Sequence, residues 1–333
     1  MKSIQVNAQI YPGFISNYYV FYLLGLMRFN PELRLLFGNN GYPLRHISYL
    51  AFQINGAKIL IDATDYPIVD KPALDWCDIC GKVNLPDTSN DVKTDKKLIP
   101  IGPGFGIQLW PFYKAFPLGL RNFITAKLGR KYFRMFMAGY FHQSFSRLQL
   151  DEYIPGATEE DFVFSVNSFW SKEEGSIIAN EYRKRFIECV RNQKELTFEG
   201  GFYKKSKIED PIYQKLQVDK PYTMSEYLNN VKRSFVVFNT PAVKGCLGWK
   251  LGEFLALGKA IITTPITQRL PAEFVDRKHV HFVDGSTSSI EEAIQFIRRN
   301  EDYRIYLEEN ARKYFLDYLL PEKVISRLLK PVI

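Results

Sequence analysis

The chain has 333 residues, 46% of them hydrophobic, enough to bury a substantial core and more than one domain usually holds. No apolar run reaches the roughly 18 residues of a membrane span, and the opening MKSIQVNAQIYPG lacks the basic start and apolar middle of a signal peptide, so a cytoplasmic protein is expected. Lys and Arg number 44 against 36 Asp and Glu, and the resulting +8 favours anionic partners without choosing among nucleotides, phospholipids and nucleic acid.

In chain order, the apolar strand SIQVNAQI leads through Pro12-Gly13 into a helix over SNYYVFYLLGLMRF, with Ser16 or Asn17 as its cap. The strands ISYLAFQI and KILIDATD flank Asn55-Gly56, the dipeptide best suited to a tight hairpin because both residues tolerate positive φ, which predicts an antiparallel pair. Cys77 and Cys80 form a single C-x-x-C without a second pair or a histidine cluster, so no metal site is expected; they read as half-buried strand cysteines. LIPIGPGFGIQLW is a strand followed by a glycine loop.

Residues 112–147 alternate aromatic and basic side chains, with Lys114, Arg121, Lys127, Arg130, Lys131 and Arg134 among Phe112, Phe116, Phe123, Tyr132, Phe133 and Phe136 and no acid between them. Two readings stand side by side: a basic surface helix packed through its aromatic side, or a helix lying on an anionic membrane surface. Such interleaving also suits single-stranded nucleic acid, but no recognised motif accompanies it and no nucleic-acid partner is expected.

The Pro-Gly break in LQLDEYIPGATEE (148–160) marks a linker. Beyond it DFVFSV, ELTFEG, SFVVFN, AIITT and VHFV alternate with helical stretches near 172–191, 223–232, 247–257, 288–299 and 301–318, the pattern of a parallel sheet flanked by helices. In such a domain ligands gather at the carboxyl ends of strands, where helix amides attract phosphate. KGCLGWKLGEFLALG (244–258) is one of these junctions: Gly248 lets backbone approach a ligand, Lys244 and Lys250 add positive charge, and Glu253 offers a bidentate acceptor to a vicinal diol such as ribose. Taken alone, Glu253 reads first as a solvated helix glutamate. Thr240 lies in the turn before this junction, and EGGF (199–202) ends another strand, where Gly200 and Gly201 would let a nucleotide base lie close to the backbone.

GCLGWKLGEFLALGKAIITTP resembles the nucleotide-sugar signature of GT-B fold glycosyltransferases, Glu-Gly-x-Gly-x-x-x-x-Glu-Ala-x-Ala-x-Gly-x-Pro-Val-Ile. Gly248, Glu253, Ala256, Gly258 and Ala260-Ile261-Ile262 fall on matching positions without gaps, and the resemblance covers roughly 160–325. It implies an α/β fold of two Rossmann-like domains facing each other across a cleft. The acceptor-binding domain spans 1–155, the nucleotide-sugar domain 156–320, and a tail at 321–333 packs back on the first.

The resemblance also implies a metal-independent glycosyltransferase without a cofactor. Its donor is a nucleotide-sugar, and its acceptor is a growing glycan, lipid-linked in one version, in surface polysaccharide biosynthesis. Glu253 inherits the ribose contact and Gly248 the close approach to the donor. The first Glu of the signature falls on Gly245, which removes the usual donor-sugar contact and leaves retention or inversion open. The family's Arg and Lys for the donor diphosphate fall on Asn167 and Lys172, so the Lys is kept and the Arg is not.

A catalytic base is expected from the first half, with Asp62, Asp65 and His46 as candidates, and the loop at Gly13 and Phe14 is expected beside the acceptor. A nucleotide-sugar epimerase or hydrolase of the same fold, or a noncatalytic nucleotide-binding subunit, are the alternatives.

Overall fold

Asn55 and Gly56 both take positive φ (49° and 86°) and turn β3 (Leu50–Ile54) back onto β4 (Ala57–Asp62), with Ile54 opposite Ala57 and Leu50 opposite Ile61. This is the hairpin that the dipeptide predicts. The computed structural model describes residues 7–39, 41–87, 95–170 and 177–331. Within them the chain divides into two compact units: residues 1–150, 268–272 and 317–333 form one, and 151–267 with 273–316 the other.

The first unit is built on a six-stranded mixed sheet in the order β2-β1-β3-β4-β5-β6. Its remaining strands are β1 (Asn7–Ile10), β2 (Arg34–Phe37), β5 (Ile79–Lys82) and β6 (Leu98–Pro100). Pairs β1–β2, β4–β5 and β5–β6 are parallel, while β3 runs antiparallel to both neighbours.

Helix α1 (Ser16–Phe29) covers the expected residues, but Ile15 occupies the cap position without a side-chain bond. Ser16 and Asn17 are buried and already helical, so neither has the extended backbone a capping side chain needs. Against α1 lies a late helix, α11 (Pro321–Leu329): a methyl at Gly25 would run into the Pro321 carbonyl, so only glycine lets the two helices meet there. Between β4 and β5 the short helix α2 (Lys71–Trp76) ends at Cys77. Cys77 therefore sits at a helix end rather than on a strand, and it and Cys80 are fully buried rather than half-buried.

The aromatic-basic segment forms a helical hairpin, α3 (Phe112–Thr125) and α4 (Phe133–Phe145), joined by a single 3-10 turn at Arg130–Tyr132. Small residues on α3 allow the close packing. Gly119 faces the Tyr140 ring, and Asn122 Nδ2 donates to Tyr140 Oη at 2.9 Å.

The second unit holds β7 (Phe162–Ser168) parallel to β8 (Thr197–Tyr203), and β9 (Val237–Asn239) parallel to β10 (Ile261–Thr263), which pairs in turn with β11 (His281–Phe282). A Phe235 N–H to Phe162 carbonyl bond of 3.0 Å ties the two sheets together. Helices α5 (Ile177–Arg191), α6 (Pro211–Gln214), α7 (Met224–Arg233), α8 (Trp249–Ala256), α9 (Thr287–Arg299) and α10 (Glu301–Tyr314) connect the strands. Buried Phe186, Phe238, Ile262 and Ile294 contribute to the core between sheet and helices. Strands β9 and β10 are buried at every position, as a parallel sheet covered on both faces requires.

Candidate functional site

At the carboxyl end of β9 the chain passes Thr240 and Pro241, makes one 3-10 turn at Val243–Gly245, and enters α8 after Gly248. Lys244 (φ 56°) and Gly245 (φ 71°) take left-handed backbone there, and the Ala242 N–H bonds the Cys246 carbonyl at 2.9 Å, closing the loop on itself. The glycine replacing the signature's first Glu therefore has a backbone reason for being glycine. Gly248 caps α8 with extended backbone and no side-chain bond, and no acid occupies the first turn, so the positive end of the helix is uncompensated by its own residues. A β-carbon at Gly248 would meet only Ala242 at 3.7 Å, which leaves room for a ligand's approach. A shallow depression of about 10 Å³ lies here, lined by Thr240, Gly245, Gly248 and Ile266 among others.

Two cations stand beside that helix start. Lys250, half-buried, donates through Nζ to Asn167 Oδ1 at 2.8 Å and to the Val166 carbonyl, both at the end of β7. Arg183 on α5 is buried; its Nε donates to Thr240 Oγ1 at 3.1 Å and its Nη1 to the Ser168 carbonyl at 3.3 Å. Every one of these acceptors is a neutral oxygen. Loss of water lowers the Lys250 pKa to about 7, helped by the Arg183 charge and opposed by Glu253. Burial lowers Arg183 to about 10. Two strand ends and two helices thus converge on positive charge without a bound carboxylate among the described residues, which suits a polyanion.

Glu253, one turn into α8, is buried rather than solvated, and its Oε2 accepts from the Tyr227 hydroxyl of α7 at 2.9 Å. It does not line the depression itself. Asn167, Lys250 and Thr240 are brought together as described, whereas Lys172 lies outside the described residues.

Gly200 and Gly201 sit in the middle of β8 rather than at its end. A methyl at Gly200 would strike the Ser165 carbonyl of β7, and one at Gly201 the Leu216 carbonyl, so these glycines serve strand packing.

In the first unit, Asp62 is fully buried and bonds Lys82 Nζ at 2.7 Å, also accepting from Thr64 N and Oγ1. Burial pushes its pKa up while Lys82 opposes the rise. A carboxylate so enclosed does not reach an acceptor hydroxyl. His46 packs edge-on against Tyr42 and Tyr49; its Nδ1 accepts from Ser48 N at 3.2 Å, Nε2 lies 3.6 Å from Asp70, and burial lowers its pKa against the pull of that acid. Asp65, past the end of β4, is exposed. Phe14 is wholly buried against Tyr19 and Phe37, and a methyl at Gly13 would collide with the Tyr11 ring, so this loop is core rather than a lining for a second substrate.

Arg183 and Tyr227 were not singled out by the sequence reading. Arg183 nevertheless lies on the buried stripe of α5 with Ala179, Phe186, Ile187 and Val190. A lone cation on an apolar helical stripe is a signal for a buried charge.

Two α/β units with largely parallel strands make up the chain, the second carrying this helix start. No family model and no curated protein matches it. Solved structures resemble its fold. A mutant of S. aureus TarM, in complex with fondaparinux, alpha-GlcNAc-glycerol and UDP, is 12% identical with a TM-score of 0.45, over 75% of this chain and 43% of that one. A glycosyltransferase from Rickettsia africae is 12% identical with a TM-score of 0.41, over 81% and 68%. WaaG, a glycosyltransferase involved in lipopolysaccharide biosynthesis, is 13% identical with a TM-score of 0.39, over 75% and 62%. The chain therefore spans less than half of TarM, and the likenesses are ones of fold.

Proposed function

We propose that the protein is a cytoplasmic, metal-independent glycosyltransferase that moves a sugar from a nucleotide-diphosphate donor to a growing, lipid-linked glycan in surface polysaccharide biosynthesis. The observation that carries this reading is the pair Arg183 and Lys250 beside the uncapped start of α8, each bonded only to neutral oxygens. A donor diphosphate supplies the missing negative charge and takes amide dipoles and cations in place of a metal ion. Glu253, held by Tyr227, is the acceptor for the ribose hydroxyls. Lys244 adds to the positive field, and Asn167 orients Lys250. Of the three base candidates Asp65 takes the role, being the exposed one.

Titration calorimetry of the full chain with UDP and other nucleoside diphosphates tests the donor site. Submicromolar to micromolar binding that falls at least about tenfold in Lys250→Met supports it; no binding of any nucleoside diphosphate overturns it.

A noncatalytic nucleotide-binding module is the second reading, favoured by the enclosure of Asp62 with Lys82 and by Gly245 in place of the signature acid. It predicts nucleotide binding with no sugar transfer to any acceptor extract.

A further inference from the structure

Helix α3 is apolar on two opposite sides. At about 100° per residue, Ala115, Gly119 and Asn122 share one line, and these are its buried positions against α4. Tyr113, Leu120 and Ile124 fall on the opposite line and are exposed, Ile124 by 66%. Phe116, 50% exposed, extends this face toward α4, where Phe141 and Phe145 are 53% and 58% exposed.

Phe112, Phe116, Phe141 and Phe145 form a surface cluster, with ring centroids of 5.6 Å for Phe112–Phe116, 4.9 Å for Phe112–Phe145 and 4.6 Å for Phe141–Phe145. Phe112, Phe116 and Phe141 border a groove of about 230 Å³ floored by Met137 and Tyr140. Monomeric proteins rarely leave contiguous aromatic surface of this kind to water.

The charge around this face has one sign. Lys114, Arg121, Lys127, Arg130, Lys131 and Arg134 are all exposed, none makes an ion pair among the described residues, and no acid occurs between 112 and 147. Lys114 and Arg121 flank the Tyr113–Ile124 line on the helical wheel.

We propose that the α3–α4 hairpin is the docking face for an anionic lipid bilayer. The helices lie in the plane of the interface, with Tyr113, Phe116, Leu120, Ile124, Phe141 and Phe145 in the acyl boundary and the six cations among headgroup phosphates. Helix α3 spans about 21 Å at 1.5 Å per residue, short of the roughly 30 Å hydrocarbon core, and no described helix is long and apolar enough to cross a membrane, so the hairpin lies on the bilayer rather than through it.

A second copy of the chain fits poorly, because a two-fold interface sets the same six cations of each copy against each other. Single-stranded nucleic acid would use the rings but leaves Leu120, Ile124 and the exposed Met135 without a stacking role. The inference stands on the hairpin alone, and its test reads binding rather than transfer, so it succeeds or fails separately from the donor-site reading.

The test is cosedimentation of the full chain with vesicles of mixed phosphatidylglycerol and phosphatidylcholine, against vesicles of phosphatidylcholine alone. The chain is expected to bind the anionic vesicles and to release as salt is raised. Neutralising three cations (Lys127→Gln, Arg130→Gln, Lys131→Gln) should weaken binding about hundredfold, roughly fivefold for each charge. Leu120→Glu with Ile124→Glu should weaken it at least about tenfold while the melting temperature holds.

Because a doubly charged variant can disturb folding, Ile124→Trp supplies a second readout, a blue-shifted emission on anionic vesicles only. Equal binding to both vesicle types, an unshifted tryptophan, a dimer broken by the Glu pair in sedimentation velocity, or tighter binding to a single-stranded oligonucleotide than to vesicles would each overturn the proposal.

Discussion

Lys250 Nζ lies 2.8 Å from Asn167 Oδ1, so the lysine at the start of α8 is held at the carboxyl end of β7. With its pKa lowered to about 7 from the usual 10.5, Lys250 is largely neutral in the free protein above pH 7 and is charged by an incoming anion. Affinity for a nucleoside diphosphate should therefore fall as pH rises above about 7, approaching tenfold per unit until the pKa of the bound state is passed. Calorimetry in two buffers of different ionisation enthalpy should show proton uptake on binding.

The same shift sets a stability trend. Between pH 7 and 10.5 the unfolded chain holds the Lys250 proton and the folded chain does not, so this group makes stability rise with pH across that window. Lys250→Met should flatten the rise, as measured by urea unfolding at pH 7 and pH 9.

Glu253 and the cations are expected to separate in their effects. If Glu253 takes the ribose hydroxyls as proposed, Glu253→Ala should weaken binding of a nucleoside diphosphate by about 1–3 kcal/mol and change inorganic pyrophosphate binding much less, the remaining change coming through its charge on Lys250. Lys250→Met should weaken both. Competition binding with the two ligands distinguishes them; equal losses on Glu253→Ala would mean that the acid only supports the helix through Tyr227.

Lys82→Met should be among the most damaging changes in the first unit, by about 3–5 kcal/mol, because it strands the Asp62 carboxylate in the core. Adding Asp62→Leu should recover much of that loss, which a double-mutant cycle in denaturant would measure.

Gly200→Ala is expected to destabilise the second unit by more than about 1 kcal/mol, since φ is +126° and the new methyl meets the Ser165 carbonyl. Reduced melting temperature in thermal unfolding checks it.

What could be read from the sequence was local. The Asn55-Gly56 turn, the extent of α1 and the glycine-framed entrance to α8 each rest on a few adjacent residues, and the structure forms all three. Strand β2 and helix α2 escaped notice, being short and without a clear period. The burial of Asp62 was invisible because its partner, Lys82, is its neighbour across β4 and β5, twenty residues away in the chain. Phe14 looked like a loop residue beside glycine, and only tertiary packing on Tyr19 and Phe37 makes it core. Arg183 breaks the apolar stripe of α5, but its partners Thr240 and Ser168 lie 57 and 15 residues away in the chain, so the sequence around it does not show what it bonds.

The fit of α11 onto Gly25 of α1, with Leu328 against Gly81 of β5, has a consequence for biogenesis. On the ribosome, the first unit emerges without the helix that covers these surfaces, and that helix is translated only after the entire second unit. Its native packing therefore waits until the second unit has been made, and until then Gly25 of α1 and Gly81 of β5 lack their cover.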